Sequence, residues 1–130
     1  MQVLQPPDWP RPKGYANGIA ARGQMIFVAG QVGWDETETF RSDDFAEQAE
    51  QALRNIVAIL REAGAGPEHL VRLTWFVTDT GEYLASQARL GAAYRRVIGA
   101  HFPAMSVIGI RALYEAGAKL EIEATAVMPD

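Results

Sequence analysis

The segment from residue 44 to residue 63 constrains the fold more than any other part of the chain. Apolar side chains recur along it at helical spacing and form a single stripe: Phe45, Ala49, Leu53, Ile56, Leu60 and Ala63. Asp44, three residues before Glu47, fits a capping box at the helix start, and Gly64 fits the stop. The pattern predicts an amphipathic helix that must bury its apolar side against a second layer of structure.

A second helix is predicted from about residue 81 to residue 98. Asp79 and Glu82 offer another capping box, and Gly99 ends the pattern. Its inner stripe, with one polar member, consists of Tyr83, Gln87, Leu90, Tyr94, Val97 and Ile98. This helix therefore also has one side to bury.

Strand-like runs occupy residues 18–21, 25–32, 71–79, 104–113 and 118–127. The turn Arg22-Gly23-Gln24 predicts a hairpin of the first two runs, and a turn around residues 114–117 predicts a second hairpin of the last two. Residues 25–30 are apolar at both parities, which predicts a strand buried on both sides.

Together these elements predict one α/β (α+β) domain over residues 1–130, with a mixed six-stranded sheet and two helices on one face. Residues 1–14 are predicted to form a proline-rich arm, because their prolines cannot lie in a central strand. Two helices can cover only one face of the sheet. The opposite face, which includes Phe76, therefore predicts an oligomer.

Charge and composition exclude several classes of function. A formal net charge of −4 argues against binding to nucleic acids or anionic membranes. No run of ~20 apolar residues could span a bilayer, and the N-terminus does not resemble a signal peptide, so a cytoplasmic location is expected. The chain lacks cysteine, and His69 and His101 have no partner at metal-binding spacing. Neither a metal nor a cofactor is expected.

Several pieces of the chain follow one another in a familiar order: Gly14-Tyr15, residues 26–31, residues 51–56, Leu60 with residues 63–65, residues 71–79, Pro103-Ala104 and residues 120–124. Through them, roughly residues 14–128 resemble the RidA/YjgF (L-PSP) family of enamine and imine deaminases. The resemblance implies a chorismate-mutase-like homotrimer with a central barrel and three ligand clefts between subunits. An older family label, endoribonuclease, conflicts with the acidic charge.

The resemblance also implies a ligand site, and this chain departs from it at two positions. The family arginine that grips the substrate carboxylate is Met105 here, followed by Ser106, and methionine carries no charge. A family asparagine on the second helix is Gly91. Arg111 lies roughly 20 Å farther along the strand, too far to replace the arginine. Arg72, or an arginine of a neighbouring subunit, remains an open alternative.

Three positions match the family. Tyr15 fits a tyrosine whose hydroxyl reaches the ligand, Gly30 a glycine whose backbone approaches it, and Glu121 the carboxylate that positions or activates water. Trp34 is a further candidate for the cleft wall. Simpler alternatives exist: Tyr15 and Trp34 as packed aromatics, Met105 as core, and Glu121 as a solvated strand residue.

Three functions follow from these residues. The first is a hydrolase acting on an enamine or imine of a less polar small metabolite, with Glu121 and Tyr15 as catalytic residues and Met105 with Trp34 as apolar contacts. The second is a non-catalytic trimer that binds such a metabolite, since losing two pocket residues can end catalysis and spare binding. The third, RNA cleavage, fits the acidic charge least.

Overall fold

The computed structural model describes all of residues 1–130 and contains six strands and three α-helices. The strands are β1 (Gln2–Leu4), β2 (Gly18–Ala20), β3 (Gln24–Val32), β4 (Leu70–Val77), β5 (Ala104–Gly109) and β6 (Leu120–Met128). The helices are α1 (Phe45–Glu62), α2 (Thr80–Ala85) and α3 (Gln87–Val97), and a short 3₁₀ helix spans Pro67–His69. No helix combines the length and the apolar character that crossing a membrane requires.

Helix α1 forms as its sequence pattern predicts. The Asp44 side chain accepts a hydrogen bond from the Glu47 backbone N–H at 2.9 Å, which caps the first turn. The helix ends before Gly64, whose φ of +75° lies in the left-handed region that glycine tolerates best. The apolar stripe is buried against the sheet, with Ile56 and Leu60 fully inaccessible to solvent.

The predicted second helix is divided in two. Asp79 caps α2 by accepting from the Glu82 N–H, and α2 closes when the Ser86 N–H donates to the Tyr83 carbonyl at 3.1 Å. Helix α3 then starts at once and buries Leu90, Ala93 and Tyr94. The apolar stripe meets the core on both sides of the interruption: Tyr83 packs against the core cluster, and Leu90 and Tyr94 belong to it.

The sheet corrects both predicted hairpins. Four strands pair in the order β3-β6-β4-β5, with β6 antiparallel to both neighbours and β5 parallel to β4. Strand β2 pairs with β1 in a separate two-stranded ribbon, joined to the sheet by one bridge between Ala16 and Ala104. The single six-stranded sheet is therefore wrong. The chain crosses over through α2 and α3, so β5 runs parallel to β4 and lies at the edge of the sheet. The well-buried β6 takes a central position, between β3 and β4.

Helices α1 and α3 cover one face of the sheet and leave the other open. The covered face holds the apolar residues of β4 and β6 that alternation predicted, among them Leu73, Val77, Leu120 and Ile122. The register places the remaining side chains on what we call the open face: Phe27, Arg72, Thr74, Phe76, Ser106, Ile108, Glu121, Glu123 and Thr125. Phe27 is 72% exposed, so β3 is buried on one side only in the single chain, contrary to the prediction.

Two ion pairs between side chains hold α3 against α1. Asp44 and Arg89 share two hydrogen bonds, and Glu50 is bound by Arg96 and by Arg54. The hydrogen bonds from Arg89 hold the pKa of Asp44 below its usual range, and those from Arg96 and Arg54 do the same for the pKa of Glu50. Both carboxylates therefore remain charged well into the acidic range.

Candidate functional site

A cavity of about 420 Å³ lies between β4, β5 and α3, and we call it the Met105 cavity. Met105 and Gly91, the two positions at which the chain departs from the family pattern, both line it. Its apolar wall consists of Trp75, Tyr83, Leu90, Tyr94, Phe102 and Met105. A volume of this size suits a small metabolite.

The charged side chains of the Met105 cavity are both cations. Lys13 and Arg95 line it together with Gln87, and no carboxylate does. Arg95 Nη1 lies 3.9 Å from the position that a Cβ on Gly91 would occupy, so the guanidinium folds back over the glycine one helical turn away. Sequence reasoning missed Arg95, although its spacing of four residues from Gly91 was a usable signal.

Three aromatic polar groups surround the same cavity. The Tyr94 hydroxyl donates to the His101 carbonyl at 2.6 Å, and burial raises the pKa of both Tyr94 and Tyr83. Both phenols therefore stay protonated at neutral pH. The Trp75 indole Nε1 is buried and finds no acceptor within the chain. An unpaired buried donor is unusual enough to require an explanation.

Tyr15 lines a different cavity, of about 440 Å³, beside the N-terminal arm. The Ala16 N–H donates to the Pro103 carbonyl at 2.9 Å, which holds Tyr15 next to the start of β5. Phe102 lines both this cavity and the Met105 cavity. Tyr15 is 41% exposed, so part of the residue is accessible to a ligand on this side of the chain.

Glu121 and Gly30 are brought together on the open face. A Cβ on Gly30 would lie only 2.5 Å from Glu121 Oε2, so the carboxylate rests directly on the glycine backbone. The register of β3 shifts between Val28 and Gln31, and this bulge produces the close approach. No hydrogen bond or ion pair within the chain engages the Glu121 carboxylate. Ser106 shares the open face and pairs with Thr74.

One chain does not unite the predicted residues in a single site. Met105 pairs with Leu73, whereas Glu121 pairs with Phe76. Positions 73 and 76 differ in strand parity, so Met105 and Glu121 lie on opposite faces of the sheet. Trp34 lies apart from both, packed against Phe40 at a ring distance of 5.6 Å.

The remaining candidates also have defined places. Arg72 lies on the open face, away from Met105, and Arg111 is exposed beyond the end of β5. His69 accepts a hydrogen bond from the Gly66 N–H at 3.0 Å, and His101 Nε2 lies 2.7 Å from the Leu70 carbonyl. Each histidine therefore has a structural partner, and neither arginine reaches the Met105 cavity within one chain.

Comparison with known proteins places the chain among relatives of similar length. A family model described as Endoribonuclease L-PSP matches residues 10–128. A RutC family protein of Synechocystis sp. is 36% identical, over 99% of this chain and 98% of the relative. The 2-iminobutanoate/2-iminopropanoate deaminase of Salmonella typhimurium is 33% identical, over 87% of this chain and 86% of the relative.

A solved structure extends the likeness to three dimensions. The Rid family protein YyfB from Yersinia pestis, of unknown function, superposes with a TM-score of 0.82 and 33% identity, over 98% of each chain. The mixed sheet with helices on one face is thus the architecture of these relatives. With the match across residues 10–128, the chain belongs to the RidA/YjgF family.

Proposed function

We propose that this protein is a hydrolase of the deaminase type, which converts an enamine or imine of a less polar small metabolite into a carbonyl compound and ammonia. The observation that carries the proposal is the Glu121 carboxylate, which rests on Gly30 without any partner inside the chain. A carboxylate without a cationic partner is free to accept a proton from water. A relative that is 33% identical is a deaminase of 2-imino acids.

The chemistry needs one water molecule and no cofactor. An enamine first tautomerises to the imine, and the water oxygen then adds to the carbon of the C=N bond. Glu121 accepts a proton from that water and passes it to the imine nitrogen, which gives the carbinolamine. Glu121 then takes the hydroxyl proton of the carbinolamine and passes it to the amine nitrogen. The C–N bond breaks as the C=O bond forms, which releases ammonia. Tyr15 orients the substrate through its hydroxyl, and Gly30 allows the carboxylate to approach closely.

The site requires more than one copy of the chain. Glu121 and Met105 lie on opposite faces of one sheet, so a neighbouring subunit has to supply one of them. The open face exposes Phe27 and Ile108 to 72% and 43%, and pairing between copies would remove these apolar side chains from water. A homotrimer with the open faces turned inward, forming a central barrel, meets both requirements.

Sedimentation equilibrium tests the assembly. We expect a particle of three times the 14.2 kDa mass of one chain. Phe27→Glu should shift the mass toward the monomer, because it places charge within the proposed interface. Tyr114→Glu is the matched control, since Tyr114 is 97% exposed and lies outside the sheet. A wild-type monomer would contradict both the trimer and the shared site.

Imine decay tests the reaction. An amino-acid oxidase generates 2-imino acids, and their hydrolysis is followed with and without the purified protein. We expect the wild type to accelerate the decay of imines with large apolar side chains, and Met105→Arg to extend this activity to small aliphatic ones, because arginine pairs with the carboxylate. If neither protein accelerates any imine, the proposal fails.

A non-catalytic binding trimer is the second candidate. It is favoured by the Met105 cavity itself, in which methionine and glycine stand at the two family positions and no acidic side chain is present. A ligand that raises the melting temperature without being converted would support this function. Turnover of that same ligand would exclude it.

A further inference from the structure

We infer that the Met105 cavity binds small aromatic carboxylates, and that Arg95, placed over Gly91, supplies the anion contact that Met105 cannot make. The inference rests on the proposed function, since it names the ligand class of the cavity in which that function places its substrate. It concerns binding alone and is tested without turnover.

The position of Arg95 is the first line of argument. Arg95 Nη1 lies 3.9 Å from where a Cβ on Gly91 would be, and that distance is ordinary van der Waals contact. A longer side chain at position 91 that extends toward Arg95 would therefore meet the guanidinium. Glycine at position 91 and arginine at position 95 act as a pair, and together they bring a cation to the rim of the cavity.

The charge balance of the cavity is the second line of argument. Lys13 and Arg95 are its only charged lining residues, and neither forms an ion pair within the chain, whereas the neighbouring Arg96 is bound to Glu50. Two uncompensated cations beside an apolar wall favour an anion with an apolar body. A guanidinium can hold a carboxylate through two parallel hydrogen bonds.

The aromatic wall of the cavity is the third line of argument. Tyr94 and Phe102 stack with their ring centroids 5.4 Å apart and nearly parallel, and Trp75 meets Tyr83 edge-on at 6.2 Å. A planar ring can extend such an arrangement. The buried Trp75 Nε1 has no acceptor in the chain, and a bound ligand with an acceptor atom within reach would satisfy it.

Titration calorimetry with 3-phenylpropanoate tests the inference directly. The neutral 3-phenylpropanamide removes the charge, and propanoate removes the ring. We expect 3-phenylpropanoate to bind the wild type most tightly of the three. Arg95→Gln should weaken the binding of 3-phenylpropanoate by about ten- to hundredfold, because the lost contact is a charged one. The affinity for 3-phenylpropanoate should then be close to the affinity for 3-phenylpropanamide. Arg95→Lys should retain part of the affinity.

Two further variants separate the local effect from a general change of charge. Gly91→Asn should weaken 3-phenylpropanoate binding as well, by displacing the Arg95 guanidinium. Arg61→Gln removes the same charge from an exposed arginine on α1 that has no ion pair, and should leave binding unchanged. The inference is overturned if the wild type does not bind 3-phenylpropanoate, or if folded Arg95→Gln binds it as tightly as the wild type does. If the protein accelerates imine decay but does not bind 3-phenylpropanoate, the proposed hydrolase function still stands. If it binds 3-phenylpropanoate but does not accelerate imine decay, only the hydrolase function is contradicted.

Discussion

Replacing Glu121 by glutamine is expected to slow imine hydrolysis by roughly a hundredfold or more, because general acid–base catalysis contributes on that order. The amide keeps the size of the side chain and its place over Gly30, and it cannot accept a proton from water. The residue is only half-buried, so the fold should be unaffected. The imine-decay rate at saturating substrate measures the effect, and the melting temperature verifies the fold.

Glu123→Gln is the matched control for this prediction. Glu123 lies on the same strand and the same open face, two residues away, and pairs with Thr74 where Glu121 pairs with Phe76. Its substitution removes the same charge without touching the carboxylate over Gly30. Equal losses in the two variants would indicate a general electrostatic effect. An unchanged rate in Glu121→Gln would contradict the mechanism.

Replacing Gln48 by methionine is expected to lower the free energy of unfolding by about 2–4 kcal/mol, because several backbone groups lose their partners. Gln48 Nε2 donates to the carbonyls of Ser42 and Gly117, and its Oε1 accepts from the Lys119 N–H, all within 2.9–3.0 Å. The side chain is 1% exposed. Methionine preserves its length and removes all three hydrogen bonds.

Urea unfolding measures this loss, with Gln24→Met as its control. Gln24 is exposed at the start of β3, and its side chain makes no hydrogen bond within the chain, so little change is expected there. A difference below about 0.5 kcal/mol between Gln48→Met and the wild type would mean that water replaces the lost partners.

The local elements could be predicted because their determinants lie within a few residues of one another. The side-chain caps at Asp44 and Asp79 form, since each carboxylate accepts from an N–H three residues on. The reciprocal glutamate bond of the predicted capping box does not form, and the Asp44 N–H donates to the Ser42 hydroxyl instead. The buried side of β6 was also predicted, since period-two alternation needs no partner to be recognised. The role of Gln48 was not predicted, because nothing in the helical spacing indicates that its amide donates a hydrogen bond to a turn 69 residues away.

The residues proposed for the site were named from the sequence, whereas their grouping in space was not. Met105, Gly91, Glu121 and Gly30 were all singled out from the chain, and the structure brings them together as two pairs on opposite faces of the sheet. A motif in a sequence specifies a position along the chain, and the face on which that position lies depends on strand pairing. Arg95 belongs to neither family position. Its spacing of four residues from Gly91 can be read from the sequence, but the contact of its guanidinium with that position is seen only in the structure.

The sequence by itself determined helix α1, five of the six strand segments, the acidic charge and the family, because these depend on short-range spacing and on the order of motifs along the chain. Only the tertiary structure decided which strands pair, why the two predicted hairpins do not form, and where Met105 and Glu121 lie relative to each other. These outcomes depend on contacts between distant segments, such as Leu73 with Met105 and Ile26 with Ala126. Which strands pair depends on the relative stability of alternative arrangements of whole strands in one sheet, and no local sequence pattern specifies that arrangement.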